Sequence, residues 1–298
     1  MINLRTFLFV VFIVTLIVFA FIAGLGLGLV ISGEDIFTGG ERVAVLEVDG
    51  IILDSQAYLE SLSKIKKDDK IKAVVLRIDS PGGAVGPSQE IYSEIKKIRE
   101  KKPVIASMGS VGASGGYYIA CAAQKIIANP GTITGSIGVV AEFTNYEQLL
   151  KWAKVDVQII KSGEFKDVGS PFREMTEAER KYIQNLIDNV HSQFEHAVSE
   201  GRGIDLKDVD RIADGRVFTG EQAKGLKLVD ELGSLSDAIR LAGAMGGIKG
   251  EPNVVYYPKK KTNILDFLLS KFESHGLIGG IPIKEHFGLF YLTNLATN

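Results

Sequence analysis

The chain opens on an unbroken apolar run. Residues 7–31 read FLFVVFIVTLIVFAFIAGLGLGLVI, with Thr15 as the one clearly polar residue. At ~1.5 Å per helical residue, this run covers a ~30 Å hydrocarbon core with some tilt. A secretory apolar core is shorter, ~7–15 residues, and ends at an Ala-x-Ala-like site, which is not found here. The pattern therefore predicts an uncleaved single-span anchor at residues 7–31, preceded by a short N-terminus at residues 1–6. Arg5 precedes the run, and Glu34, Asp35 and Glu41 follow it. The positive-inside rule then places residues 1–6 in the cytoplasm and the body on the extracytoplasmic side. Gly24 and Gly28 have small-xxx-small spacing, read here as glycine tolerated in a membrane helix rather than as a dimer face.

After a linker at residues 32–42, apolar strand-like segments alternate with amphipathic ones. Strands are expected at residues 43–48 (VAVLEV), 71–78 (IKAVVLRI), 103–108 (PVIASM), 125–128 and 155–160. Helices are expected at residues 55–70, 88–102, from about Ser114, and at 147–153, 176–199, 206–212, 220–225 and 236–244. Residues 79–83 and 109–116 are glycine-rich and read as strand-ending turns, and residues 131–140 read as loop. The alternation predicts an α/β fold with buried strands, spanning residues 43–249. No internal repeat has a solenoid period. Residues 250–298 form a tail with two short apolar segments, 265–272 and 287–295. They are suited to dock on a partner subunit, a membrane surface or the protein's own groove, and the sequence leaves the three open.

Composition narrows the picture. The 298 residues carry a net charge of −2, with 46% apolar and 23% charged residues. These proportions exclude disorder, collagen-like repeats and coiled coil as the main structure. A near-neutral balance argues against nucleic acid as a partner. The mean hydropathy of +0.15 is slightly high for this charge content, and the excess belongs to residues 7–31. The single cysteine, Cys121, rules out an intrachain disulfide and a cysteine-rich metal site. It lies in the apolar stretch YYIACAA and reads as a core thiol.

Candidate chemistry centres on GSVGASGG, Gly109 to Gly116, placed between a strand and a helix. Gly112, Ser114 and Gly116 have the Gly-x-Ser-x-Gly spacing of a nucleophile elbow. A helix start offers N–H groups to a developing oxyanion, and a capping serine in a tight connection accounts for the motif equally well. The second glycine turn, Ser80-Pro81-Gly82-Gly83, ends another strand in the same sense. Amides of Gly83 and Gly115 facing each other could form an oxyanion hole, although a plain strand-ending turn also explains the first of them.

A serine hydroxyl needs a base. The four histidines are His191 and His196 on the long helix and His275 and His286 in the tail, none in a strand-end context. Lysine is the alternative. A lysine amine, pKa ~10.4, must be brought to ~7–8 by a dry site to serve as base. Lys166, in SGEFKD after the expected strand at 155–160, is the best-placed candidate. Position alone does not separate it from Lys161 or from an ordinary solvated loop lysine.

At these residues the chain resembles the signal peptide peptidase A family of membrane-bound Ser-Lys serine proteases, in its short, single-domain form. The matching segments are RIDSPGG (77–83), ASMGSVGASGGYYIACAAQKIIANPGTITGSIGVV (106–140), KSGEFKDVGSPFREMTEAER (161–180) and ADGRVFTGEQAKGLKLVDELG (213–233). The resemblance implies a Clp protease/crotonase-like fold of repeated strand and helix turns. It implies Ser114 as nucleophile, Lys166 as general base, Ser136 as the hydroxyl that orients the base, and Gly83 with Gly115 at the oxyanion hole. It implies no metal or organic cofactor. It also implies a homo-oligomer with sites at protomer interfaces, acting on remnant signal peptides bound as an added strand. The tail matches nothing in this pattern.

The leading expectation is thus a membrane-anchored serine endopeptidase. A related protease clipping another membrane protein, such as a stomatin-like partner, has the same residues and differs only in substrate. A crotonase-like acyl-CoA enzyme shares the fold but has no use for a serine nucleophile or an anchor. A non-catalytic membrane scaffold conflicts with the intact Ser114, Ser136 and Lys166 set.

Overall fold

The computed structural model describes residues 3–31, 40–258 and 290–292. The expected tail segment 265–272 and most of the linker lie outside these residues. Helix α1, Leu4–Ile31, forms a unit of its own, and the remaining elements build a second unit from Arg42 onward. The side chains of α1 are described without a gap only over residues 7–22. Among the described residues, no helix is long and apolar enough to cross a membrane.

The body is a mixed α/β sheet. Strand β1, Arg42–Ile52, pairs in parallel with β2, Ile71–Ala84, which pairs in parallel with β3, Val104–Ala113. Helix α2, Gln56–Lys67, links β1 to β2, and α3, Val85–Arg99, links β2 to β3. β3 is paired by two strands in succession: β4, Lys125–Ala128, against residues 105–108, then β5, Ile133–Gly135, against residues 111–113. Strand β6, Val217–Thr219, lies antiparallel to β5, and β7, Glu231–Leu232, lies parallel to β4. β8, Asn253–Tyr257, pairs in parallel with β1, so the stretch read as a tail begins by contributing a sheet edge.

The near-continuous apolar strands reflect burial on both faces. Alternate residues of β1 point to opposite sides. Ala44, Leu46 and Val48 join Leu62, Ile91, Ile95 and Tyr117 in the larger core, while Val43 and Val45 pack with Ala238 and Ala242 of helix α9, Leu235–Met245. Helix α4, Gly115–Ala120, is buried throughout, in keeping with the apolar stretch YYIACAA. The long helix α6, Glu177–Arg202, begins at a capping box formed by Thr176 and Glu179. Phe194 of α6 meets Tyr118 edge-on, with ring centroids 5.1 Å apart.

Three expectations are corrected. β2 and β3 do not stop at their glycine runs. β2 continues to Ala84 and β3 to Ala113, with a register shift after Ile78 that lets the glycine backbones stay paired. Part of the stretch read as loop, Ile133–Gly135, is strand β5, because β3 presents an edge beyond the end of β4. The expected strand at 155–160 is not formed. It follows α5, Glu147–Trp152, as an exposed irregular segment that pairs with no strand among the described residues.

Candidate active site

Ser114 stands where β3 passes into α4. Its φ of +52° and ψ of −118° are a conformation that L-residues rarely adopt, so the turn is held by what surrounds it. The Ser114 N–H donates to the carbonyl of Gly135 at 2.8 Å, tying the turn to the end of β5. The Ser114 side chain is buried, and among the described residues its Oγ has no hydrogen-bond partner.

The glycines beside it allow close approach of backbones. A Cβ on Gly115 would fall 2.7 Å from Ser88 Oγ and 3.2 Å from the Gly83 nitrogen. The Gly83 and Gly115 backbones therefore lie in close approach beside Ser114. A Cβ on Gly83 would fall 2.1 Å from the Ile52 carbonyl oxygen, so β1 forbids a side chain there. The Ser80 hydroxyl organises the same turn. It donates to the Gly50 carbonyl at 2.6 Å and accepts the Gly82 N–H at 3.1 Å. The Asp79 carboxylate accepts N–H bonds from Ser110 and Val111 at 3.2 and 3.0 Å, pinning β3 where it leaves β2. Thr134 Oγ1 donates to the Gly112 carbonyl at 2.7 Å and fixes β5 against the elbow. Sequence reasoning named Ser80 and Asp79 only as parts of a strand-ending turn and gave Thr134 no role. The signal available was a short polar residue beside each glycine run, the composition of a self-bonded turn.

Ser136 is buried close by. Ala113 and Gly135 are register partners, so Ser114 and Ser136 are the next residues of two parallel strands. Ser136 also has positive φ, +49°, and its N–H donates to the Arg216 carbonyl at 2.9 Å. Four of the five expected site residues, Gly83, Ser114, Gly115 and Ser136, are thus gathered at one end of β2, β3 and β5.

Lys166 is not among them. It is exposed, on the irregular segment between α5 and α6, and no bond joins its amine to the Ser114 hydroxyl within the chain. The segment is nonetheless firmly held. Asp167 accepts from Arg173 Nε at 2.9 Å and from Lys161 Nζ at 2.5 Å. Arg173 also grips Glu179, donating from Nη1 to Oε2 at 2.9 Å and from Nη2 to Oε1. The Arg173 guanidinium, with the Thr176 backbone N–H, holds the buried Glu179 carboxyl down at about 2. Arg173 and then Lys161 hold Asp167 far below the usual carboxylate range. On the other side of Lys166, the Phe165 ring lies 5.3 Å from that of Tyr182 on α6. Along the chain on either side of Lys166, apolar side chains are exposed: Trp152 is 82% and Ile160 98% exposed, and Leu149, Val155, Phe165 and Phe172 are exposed too.

Of the histidines, His191 and His196 sit on α6, outside this cluster, and His275 and His286 lie outside the described residues. Cys121 is fully buried, and burial pushes its thiol up to about 12, so it is an inert core residue.

A serine on a strained strand-to-helix turn, beside closely approaching glycine backbones in a mixed α/β sheet, is the arrangement of a Clp protease-like domain. The sequence model of the Clp protease family matches residues 47–132, and that of peptidase family S49 matches residues 96–248. A Synechocystis protein named as a candidate protease is 43% identical over 224 residues, covering 74% of this chain and 80% of that protein. A candidate protease of Methanocaldococcus jannaschii is 33% identical over 292 residues, covering 91% and 93%. An Enterococcus faecium protein named as a candidate signal peptide peptidase SppA is 37% identical over 213 residues, covering 67% and 62%. The chain belongs to peptidase family S49, the SppA family, and is a serine peptidase.

Proposed function

We propose that this protein is a membrane-anchored Ser-Lys endopeptidase that degrades remnant signal peptides. The observation that carries the reading is Ser114: buried, strained, without a partner for its hydroxyl among the described residues, and set beside the Gly83 and Gly115 backbones. In the reaction the Ser114 hydroxyl loses its proton to the neutral Lys166 amine as the Ser114 oxygen bonds to the substrate carbonyl carbon. The carbonyl oxygen takes the negative charge and rests on the N–H groups of Gly83 and Gly115. The lysine then gives its proton to the departing amine as the peptide C–N bond breaks. Water, deprotonated by the same lysine, hydrolyses the acyl-enzyme. Ser136, one strand over from Ser114, hydrogen-bonds the amine and holds it in line. No metal or organic cofactor takes part.

The base comes from a neighbouring protomer. Two observations support this: among the described residues the Ser114 hydroxyl has no partner, and Lys166 is exposed on a segment whose apolar side chains, Ile160 and Phe165 among them, are exposed as well. A second copy covering that surface would exclude water from the amine and offer the segment at 155–160 a sheet edge. The anchor rests on the apolar sequence of α1, with residues 1–6 cytoplasmic and the peptidase body on the extracytoplasmic side of the cell membrane. The signal-peptide substrate rests on the name of the E. faecium relative.

The test is complementation. Ser114→Ala and Lys166→Ala should each abolish hydrolysis of a signal peptide in detergent micelles. Assemblies mixed from the two variants should regain activity, because one protomer supplies the serine and its neighbour the lysine. Activity in either single variant would remove the dyad. Mixed assemblies that remain inactive would return both groups to one chain. Carbonate extraction should leave the full chain in the membrane pellet, and its release would end the anchor reading.

A further inference from the structure

Helix α3 starts at Val85, directly after Gly83 and Ala84, and α4 starts at Gly115, directly after Ser114. The two glycines of the site therefore stand at the entrances of two helices, and the packing of those entrances sets their separation. Ser88, on the first turn of α3, is fully buried in that packing. A Cβ on Gly115 would meet three atoms at once: Ser88 Oγ at 2.7 Å, the Gly83 nitrogen at 3.2 Å and Gly82 Cα at 3.3 Å. Ser88 Oγ and the Gly82-Gly83 backbone thus converge on one side of Gly115. Gly83 is also bounded by β1, since a Cβ on it would fall 2.1 Å from the Ile52 carbonyl oxygen.

The Ser88 hydroxyl is fixed in place. It donates to the Ala84 carbonyl at 2.9 Å, one turn back along α3, the bond a helical serine makes to the carbonyl four residues before it. That bond uses the hydroxyl's single proton, so Ser88 has no donor left to offer a substrate oxyanion. One turn further on, the Tyr92 and Tyr118 rings meet with centroids 4.9 Å apart and hold α3 against α4. We infer that Ser88 is a positioning residue of the active site: its oxygen is the spacer that sets the separation of the Gly83 and Gly115 backbones. The inference rests on the reading of those two amides as the oxyanion hole. The role it adds is geometric and involves no contact with the substrate.

Two substitutions move the spacer in opposite senses. Ser88→Ala removes the oxygen from a fully buried point and lets the Gly115 turn settle toward α3. Gly115→Ala drives a Cβ into that oxygen and pushes the two turns apart. The oxyanion forms on the way to the transition state, so a misplaced donor lowers kcat and leaves KM in place. A displacement of about 1 Å costs on the order of 10²-fold, and loss of one spacer atom, with a smaller shift, should cost about tenfold. The two substitutions act on one contact, so their effects are not independent. In the double variant the new Cβ at position 115 takes the space that Ser88 Oγ leaves.

The experiment follows peptide hydrolysis and thermal unfolding of four full-length chains in one detergent: natural, Ser88→Ala, Gly115→Ala and the double variant. Ser88→Ala should lower kcat about tenfold with KM changed less than about twofold. Gly115→Ala should lower kcat by about 10²-fold or more and lower Tm as well. The double variant should regain at least about fivefold in kcat over Gly115→Ala, and part of the lost Tm. A double variant no more active than Gly115→Ala, or a Ser88→Ala variant with natural kcat, would overturn the inference. Recovery of Tm without recovery of kcat would reduce Ser88 to a packing contact and overturn the positioning role. Absence of hydrolysis in the natural chain would count against the peptidase reading, while the Tm comparison still decides whether Ser88 is the spacer, and no recovery there overturns it.

Discussion

Replacing Ser114 by glycine should give a more stable protein than replacing it by alanine, the reverse of the usual order. Neither variant carries the hydroxyl, so the comparison isolates the backbone. Alanine keeps a Cβ at φ +52° and ψ −118°, and a conformation of this kind costs a side-chain-bearing residue ~1–3 kcal/mol. Glycine adopts it freely but adds freedom to the unfolded chain, which costs ~0.4–1 kcal/mol. The central balance favours glycine by about 1 kcal/mol, which in a body of this size is about 3 °C in Tm. The assay is thermal unfolding of the two variants at equal protein concentration in one detergent, since assembly makes Tm concentration-dependent. Both variants should also be inactive, which separates the strain from the chemistry. An alanine variant as stable as the glycine variant, or more so, would show that the elbow stores no strain and would refute the reasoning.

Other outcomes follow from the same geometry. Gly83→Ala places a Cβ 2.1 Å from the Ile52 carbonyl oxygen and must displace the backbone; kcat should fall by about 10²-fold or more, the cost of losing one oxyanion donor, while Gly86→Ala, with nothing within 4 Å, serves as the tolerated control. The Glu179 carboxyl sits at about 2 in the folded chain and near ~4.3 unfolded, so its contribution is complete above pH ~4.3 and disappears as pH falls toward 2. Arg173→Ala should flatten that part of the stability profile, read from unfolding midpoints between pH 5 and 2; an unchanged slope would show that the Asp167–Arg173–Glu179 network does not hold the Lys166 segment. Cys121, fully buried with its thiol pushed up to about 12, should resist alkylation by iodoacetamide at pH 8 until the chain unfolds, and rapid labelling of the native protein would contradict its placement in the core.

Much of the architecture was legible because its signal is local. VAVLEV and IKAVVLRI are apolar on both faces and became parallel strands with helices on either side. Thr176 and Glu179, three residues apart, form the capping box at the start of the longest helix of the body. GSVGASGG identified the elbow because small residues are needed where backbones nearly touch, and the Gly83–Gly115 approach bears this out. Local pattern failed where pairing depends on distant chain. Glycine-rich ends of β2 and β3 look like turns, yet they stay in the sheet because flanking strands supply their hydrogen bonds. Residues 155–160 look like a strand, yet an edge strand without a neighbour has no ladder to join.

The sequence by itself therefore determined the kinds of residues available: one elbow serine, two glycine turns, a lysine near Glu164 and Asp167, and an apolar run at the front. Only the tertiary structure decided which of them meet. It set the Gly83 amide against Gly115 and Ser136 beside Ser114, left Lys166 exposed and unbonded to that serine, and paired residues 290–292 with residues 82–84 of β2. The reason is physical. Secondary structure follows from spacing within a few residues, whereas a catalytic constellation and an edge pairing join positions up to about two hundred residues apart, and only the packing of the sheet fixes those distances.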